Sequence, residues 1–329
     1  MKALITGGAG FIGSHLAELL LADGHRVTVI DNLVTGQAAN LEHLAGNPRL
    51  EFLQESVLDE ERMRALVPAH DVVFHLAAAV GVRWIIENPL QSIRTNVRAT
   101  EIVLEAAAAS RARVLIASTS EVYGKNEKSP LCEDDDSIIG STRITRWLYA
   151  NTKATNEFMA LAHWWEQRLP VTVVRFFNTV GPRQTGRYGM VVPRFVRQAL
   201  AGEPLTVYGD GQQSRCFTYV GDAVRALVAL LRAPEAETCG EIFNVGNNQP
   251  TTIEGLAREV VRRTGSESPL RFVPYDEAYG SGFADMRRRA PDTTKLRRTV
   301  GFAPRTPLGE ILDRVIAFER AQAAHGAAV

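Results

Sequence analysis

The chain has 329 residues, with 37 Lys and Arg against 37 Asp and Glu, so its formal net charge is zero. Apolar residues make up 45% and charged residues 22%, an ordinary globular composition, long enough to bury a large core without disulfide or metal staples. The even charge argues against a dedicated nucleic-acid binder, which shows a basic excess, and no run approaches the ~20 apolar residues of a membrane helix.

Residues 2–6 form a short apolar strand that begins at once, so a cytoplasmic protein without a signal peptide is expected. A helix with an apolar face over 15–22 and a second strand over 26–31 follow. Residues 51–54 read as a third strand, and 71–76 as a fourth, apolar enough to be buried on both faces. A helix over 96–110, with its alanine run, leads to a fifth strand at 113–118. The acidic run 133–136 reads as a solvated loop, and 171–176 as a sixth strand. Strands alternating with helices predict a parallel, doubly wound α/β sheet. Beyond Asn178 glycine and proline become frequent, around a helix at 192–201 and a strand at 205–208. A helix at 222–231, a strand at 241–245, a helix at 253–264 and an amphipathic helix at 308–323 complete the chain, and the last seven residues are expected to fray. The expected division is a dinucleotide-binding domain over 1–178, to which 216–248 returns, and a smaller, interwoven α/β substrate domain over 179–329. Cys132, Cys216 and Cys239 fall at no paired spacing, so reduced structural thiols and no metal site are expected.

Gly7, Gly10 and Gly13 stand between the first strand and the first helix, with Phe11 and Ile12 in the same turn. Such glycines let the backbone turn sharply and lie close to a pyrophosphate. The helix start offers free N–H groups and a positive dipole end. Asp31 ends the second strand where a carboxylate accepts hydrogen bonds from the adenosine ribose and repels a 2′-phosphate. Asn32 and Leu33 follow it, with no arginine. The pattern predicts NAD rather than NADP, in a sheet of the Rossmann type. Leu76, Ala77 and Ala78 end the fourth strand, and the two alanines would leave room for the cofactor. Thr119 closes the fifth strand, and Tyr149 and Lys153, four apart, share one helix face. An ammonium beside a phenol lowers the phenol's pKa. Tyr149 is therefore expected to accept a proton from a substrate hydroxyl that Thr119 also hydrogen-bonds, as hydride leaves for NAD.

Together these residues resemble the extended short-chain dehydrogenase/reductases that act on nucleotide sugars, the NAD-dependent epimerase/dehydratase family. The resemblance covers nearly the whole chain. It rests on Thr6-Gly7-Gly8-Ala9-Gly10-Phe11-Ile12-Gly13, His75-Leu76-Ala77-Ala78, Tyr149 with Lys153, and Phe177-Asn178-Thr179-Val180-Gly181-Pro182-Arg183. Leu205-Thr206-Val207-Tyr208-Gly209-Asp210-Gly211, Arg215-Cys216-Phe217 and Phe243-Asn244-Val245-Gly246 extend it. It implies Thr119, Tyr149 and Lys153 as a catalytic trio, with Tyr149 and Lys153 also at the NAD, and a UDP-sugar as substrate. Asn178, Val192 and Arg194 would hold the nucleotide diphosphate, Thr206 and Tyr208 the uracil, and Arg215 the diphosphate, by charge and forked donors. It also implies a homodimer in which helices 96–110 and 152–167 pair into a bundle, with Trp164 and Trp165 at that interface or in the core.

Family members oxidise sugar carbon 4 and differ in what the 4-keto sugar does next. Thr119-Ser120-Glu121-Val122-Tyr123-Gly124 and Thr145-Arg146-Trp147-Leu148-Tyr149 are similar to UDP-glucuronate decarboxylases, and Arg289 aligns with an arginine they place at the sugar. Ser120, expected at the substrate, stands where 4,6-dehydratases carry an Asp. Glu121, Arg289 or a water between them is accordingly expected to supply or relay the proton that carbon 5 gains after decarboxylation. Two stretches point elsewhere. Residues 79–85 differ from the decarboxylases' sugar-facing loop, and Gln184-Thr185-Gly186-Arg187-Tyr188 is similar to 4-epimerases. A UDP-sugar 4-epimerase is the runner-up, and a non-catalytic NAD-sensing regulator, which typically lacks the Tyr–Lys pair, a distant third.

Overall fold

The computed structural model of the chain describes residues 1–186, 190–279 and 286–326. Apolar runs fold into β1 (Lys2–Thr6), β2 (Arg26–Ile30), β3 (Leu50–Leu53), β4 (Val72–His75), β5 (Arg113–Thr119) and β6 (Val171–Phe176). Shorter strands follow: β7 (Thr179–Val180), β8 (Leu205–Tyr208), β9 (Ser214–Cys216) and β10 (Thr218–Tyr219). The last are β11 (Glu241–Val245), β12 (Pro250–Thr252), β13 (Leu270–Val273) and β14 (Arg288–Arg289). The main sheet has the order β11-β6-β5-β4-β1-β2-β3 and every pairing in it is parallel. The chain winds outward from β1 one way and from β4 the other. The C-terminal ends of β1 and β4 therefore flank the crevice where the order reverses, which is where such sheets bind ligands.

Helices α1 (Phe11–Ala22), α2 (Glu60–Leu66), α3 (Val82–Glu87), α4 (Pro89–Ile93), α5 (Ala99–Ser110), α6 (Leu148–Gln167), α7 (Val191–Leu200) and α8 (Val220–Arg232) position the site. One face of the sheet packs Leu16 and Leu20 of α1 with Val224 and Leu227 of α8. The other packs Val103 and Leu104 of α5 with Ala160 of α6. Covered on both faces, β4 and β6 are buried throughout. A second lobe has its own core of Val192, Phe195, Val207, Leu256 and Leu312.

Several elements depart from the sequence reading. The first helix starts at Phe11, not at 15, because it leaves the glycine turn directly from Gly10. The helix expected over 96–110 begins as an α-helix at Ala99, after a π-turn over Arg94–Arg98. The strands β9, β12 and β14 have two or three residues each and are too short for periodicity to reveal. The helix Thr294–Val300, beyond the segment expected to return, sends Leu296 into the first core. Residues 133–136 form a turn in which Asp134 and Asp136 are exposed, as a solvated loop requires, but Glu133 and Asp135 have partners. Glu133 Oε1 accepts from the Asn244 N–H on the sheet-edge strand β11 at 2.8 Å, and Asp135 accepts from Cys132 N–H at 2.7 Å. The run thus satisfies edge and turn donors. The C-terminal helix continues to Gly326, and the last three residues lie outside the described ones. Cys216 and Cys239 are buried, and all three thiols are free. No described helix is long and apolar enough to cross a membrane.

Candidate active site

A cavity of about 520 Å³ lies at the C-terminal ends of the central strands, between the main sheet and the second lobe. Gly7, Gly10, Phe11, Ile12, Gly13, Asp31, Asn32, Leu76, Ala77 and Ala78 line one end of it. The glycines there are required sterically. A Cβ at Gly13 would lie 2.4 Å from the Gly7 carbonyl oxygen, and one at Gly7 (φ +71°) 2.8 Å from the Ala77 backbone. Closing that turn leaves the first N–H groups of α1 without intrahelical partners and aimed at the cavity mouth. Asp31 braces the turn, accepting from Ala9 N–H at 3.0 Å and Leu33 N–H at 2.9 Å. Burial raises its pKa against those bonds. This narrow, side-chain-free cradle above a helix N-terminus, with a carboxylate at the next strand end, fits a dinucleotide such as NAD.

Thr119, Ser120, Glu121, Tyr149 and Lys153 line the middle. Thr119 Oγ1 accepts from Glu121 N–H at 3.2 Å and caps the turn after β5. Tyr149 and Lys153 lie one turn apart at the start of α6. Lys153 is only 2% exposed, and its Nζ donates to the Ala117 carbonyl at 2.7 Å. Burial pulls its pKa down to about 8, with the Glu157 carboxylate opposing. The expected depression of the Tyr149 phenol is not found. Burial and then the Glu121 charge push it above its ordinary value, while the ammonium is turned toward Ala117.

The structure brings together three charges that the chain keeps far apart. Glu121 follows β5, Arg146 lies in the 3-10 turn Thr145–Trp147 before α6, and Arg289 lies on β14. Arg146 Nη1 is 2.5 Å from Glu121 Oε2, and Arg289 Nη1 donates to Glu121 Oε1. All three are at most 15% exposed. Burial disfavours the Glu121 carboxylate, but the fields of Arg146 and Arg289 and their hydrogen bonds outweigh it and hold its pKa well below the carboxylate range. Arg289 also donates from Nη2 to Asn178 Oδ1 at 2.9 Å. β14 pairs with β9 in the register Arg289↔Arg215, so both guanidinium groups face the cavity from adjacent strands.

At the far end Arg194 stacks on Tyr208, 4.1 Å from its ring centroid. Two residues expected at the substrate do not line the cavity. Val192 is fully buried in the second core, and Val191 lines the cavity instead. Thr206 does not line it, because its backbone and hydroxyl are bonded to Gln198.

The sequence reading assigned no role to Arg146, to Tyr275, which also lines the far end, or to Asn96. Asn96, on the π-turn, accepts from Ala79 N–H at 2.7 Å and donates to the Ala79 carbonyl at 3.3 Å. It thereby ties the loop after β4 to α6, whose Asn156 donates to the Asn96 carbonyl at 2.9 Å. The segment 79–85 is a turn entering α3, and Ala79, Val80, Gly81, Trp84 and Ile85 line the cavity. Gln184 and Thr185 line it too, whereas Arg187 and Tyr188 lie outside the described residues.

A family model described as the NAD dependent epimerase/dehydratase family matches residues 3–246. The chain is 46% identical over 304 residues to a UDP-N-acetyl-alpha-D-glucosaminuronate decarboxylase of Bacillus cytotoxicus, covering 92% of each chain. It is 38% identical to UDP-glucuronic acid decarboxylase 1 of Xenopus tropicalis, over 99% of this chain and 74% of that one. Among solved structures, a UDP-glucuronic acid 4-epimerase from Bacillus cereus in complex with UDP-glucuronic acid and NAD overlays with a TM-score of 0.88 at 29% identity, over 98% of this chain and 100% of that chain.

Proposed function

The chain belongs to the NAD dependent epimerase/dehydratase family, and on that premise we propose that it decarboxylates a UDP-linked uronate, UDP-glucuronate or its 2-acetamido counterpart. The observation that carries this reading is the convergence of Arg146 and Arg289 on Glu121, in the cavity that Thr119 and Tyr149 also line. Two buried guanidinium groups sharing one carboxylate leave excess positive charge, which a second carboxylate offsets. A neutral hexose would leave it uncompensated. The relatives at 46% and 38% identity are both named as uronate decarboxylases, and the higher value favours the 2-acetamido sugar.

In this reading the glycine turn, Phe11, Ile12, Asp31, Asn32 and Leu76–Ala78 would hold NAD, which would supply the hydride acceptor, and later the hydride donor, for sugar carbon 4. Tyr149 takes the proton of the carbon 4 hydroxyl, and Thr119 orients that hydroxyl. The Lys153 ammonium favours the phenolate when it turns from the Ala117 carbonyl toward Tyr149. Once carbon 4 is a ketone, the carboxylate on carbon 5 belongs to a β-keto acid. Its C–C bond breaks, the electron pair passes into an enolate, carbon dioxide leaves and carbon 5 gains a proton. Glu121 is held ionised between two guanidinium groups, so it is a poor standing acid. It acts as the strut of the arginine pair, and the proton comes from water. Ser120 borders the sugar, and Asn178, Arg194, Tyr208 and Arg215 take the diphosphate and base.

The test is product NMR and carbon dioxide release with UDP-glucuronate, UDP-N-acetylglucosaminuronate and UDP-glucose. A UDP-pentose and carbon dioxide are expected from a uronate. Inversion at carbon 4 without gas would overturn the decarboxylase reading in favour of the 4-epimerase, the activity named for the overlaid Bacillus cereus structure.

The same reading includes a homodimer. Leu90 and Ile93 of α4 and Phe158 and Trp165 of α6 are exposed, Leu90 and Phe158 by 73% and 69%, on helices that pack side by side. A second copy would cover this face. Trp164 turns inward to the core, under Arg168. A monomeric mass in light scattering would refute the pairing. Free thiols and a need for NAD suit the cytoplasm.

A further inference from the structure

Behind the catalytic face lies a buried charge pair to which the reaction as described gives no part. Glu157, one turn beyond Lys153 on α6, accepts from Arg175 of β6 at both oxygens, at 2.9 and 2.7 Å. Glu157 Oε1 also accepts from Ser118 Oγ at 2.5 Å. All three side chains are buried. Ser118 sits between Ala117, whose carbonyl receives the Lys153 ammonium, and Thr119. Arg175 is fixed in turn by the Glu133 carbonyl at 2.8 Å and by the Tyr123 ring, 4.7 Å from its centroid. Burying such a pair costs desolvation, and well-packed apolar side chains would join α6 to β6 at least as well. Stability alone therefore does not account for charges at this place.

We propose that Glu157 is a positioning residue for Lys153, holding the end of β5 against α6 and sustaining the charge of the ammonium. The proposal rests on the reading of Tyr149 and Lys153 as the proton-handling pair. The other groups around Lys153 do not supply that support. His75 of β4 is buried and pushed down to about 3, so it is neutral. Tyr149 on the same helix is held protonated, and the Glu121 charge after β5 acts on that phenol. Arg175 of β6 is bound to Glu157. Burial alone drives Lys153 toward neutrality, and Glu157 is the charge that opposes it.

The sign follows. Lys153 serves while protonated, so turnover is lost as pH rises through its pKa. Glu157→Gln removes the opposing charge, lowers that pKa and moves the alkaline limb of kcat to lower pH by about one unit. The direct readout is the titration of the 13Cε resonance of Lys153 in labelled protein without substrate or cofactor, which should move the same way. Removing one partner of a buried pair can unfold a protein, so the double variant Glu157→Leu/Arg175→Met, which leaves no orphan charge, is measured beside it. Its melting temperature should match or exceed that of the unmodified protein, while its Lys153 titration stays shifted. An unshifted titration in either variant would overturn the proposal. If the unmodified protein decarboxylates no UDP-uronate, the functional reading fails, and the titration still decides the role of Glu157.

Discussion

The two ends of the cavity are built by opposite means. The dinucleotide end is made of backbone: one turn, residues 7–13, and the strand ends at Asp31 and Leu76, closed so tightly that a single Cβ at Gly13 would strike the Gly7 carbonyl. The sugar end is made of charge: Glu121, Arg146 and Arg289 come from three segments, the outer two 168 residues apart, and meet only in the folded protein. A backbone cradle depends on what is missing from it. A charge cluster depends on its balance: without Glu121 two buried guanidinium groups stand unpaired, and without either arginine the excess positive charge offered to a substrate carboxylate is gone.

The largest expected effect falls where the two ends meet. Tyr149→Phe removes the phenol that takes the carbon 4 proton and should lower turnover by about a hundredfold or more, with the circular dichroism spectrum unchanged. Full turnover would make Tyr149 a packed helix residue and leave the ends without a shared chemistry. Next is Arg146→Met, which keeps the stem and removes the charge. Truncating one partner of a buried charge pair typically costs about 2–5 kcal/mol, so KM for a UDP-uronate should rise more than tenfold. NAD affinity, measured by calorimetry, should not change. An equal loss in NAD affinity would show that the ends are not separate.

Legibility followed the same divide. The glycine turn, Asp31 and the pair Tyr149 and Lys153 are local patterns whose spacing carries their geometry. Arg146 stands in a stretch that resembles the decarboxylases, but its role comes only from Glu121 and Arg289, which the sequence does not place beside it. Arg289 lies on a strand of two residues whose partner is β9, and no sequence period shows that pairing. Val192 was readable and misplaced. On a helix, Val191 and Arg194 are three apart and share the cavity face, which turns Val192 toward Phe195 and Val196 in the core. The alternation in β8 likewise buries Leu205 and Val207 and leaves Tyr208 for the cavity. What alternation cannot show is that Gln198 occupies Thr206.

The smallest expected effect separates the ends by acidity. His75 precedes Leu76, buried between the Thr6 hydroxyl at 2.8 Å and the Thr100 hydroxyl at 3.1 Å. Burial, then the Lys153 charge, pushes its pKa down to about 3. Below the ordinary histidine value near 6.5 the unfolded chain binds a proton there and the folded chain does not, so stability falls as pH drops from about 6.5 toward 3. Glu121 behaves differently. Its depressed pKa gives stability that is fully present above the ordinary carboxylate value and is lost only as pH falls below it. Between pH 6 and 5 the protonation of His75 should therefore cost stability while Glu121 costs none. Urea unfolding at both values should show a steeper loss in the unmodified protein than in His75→Asn, by about 1.4 kcal/mol per pH unit for the one proton. Taking the difference between the two proteins removes the part due to every other titrating group, including Asp31, whose raised pKa acts in the opposite sense. Equal slopes would mean that His75 accepts its proton in the folded state and that the strand end at Leu76 is open to water.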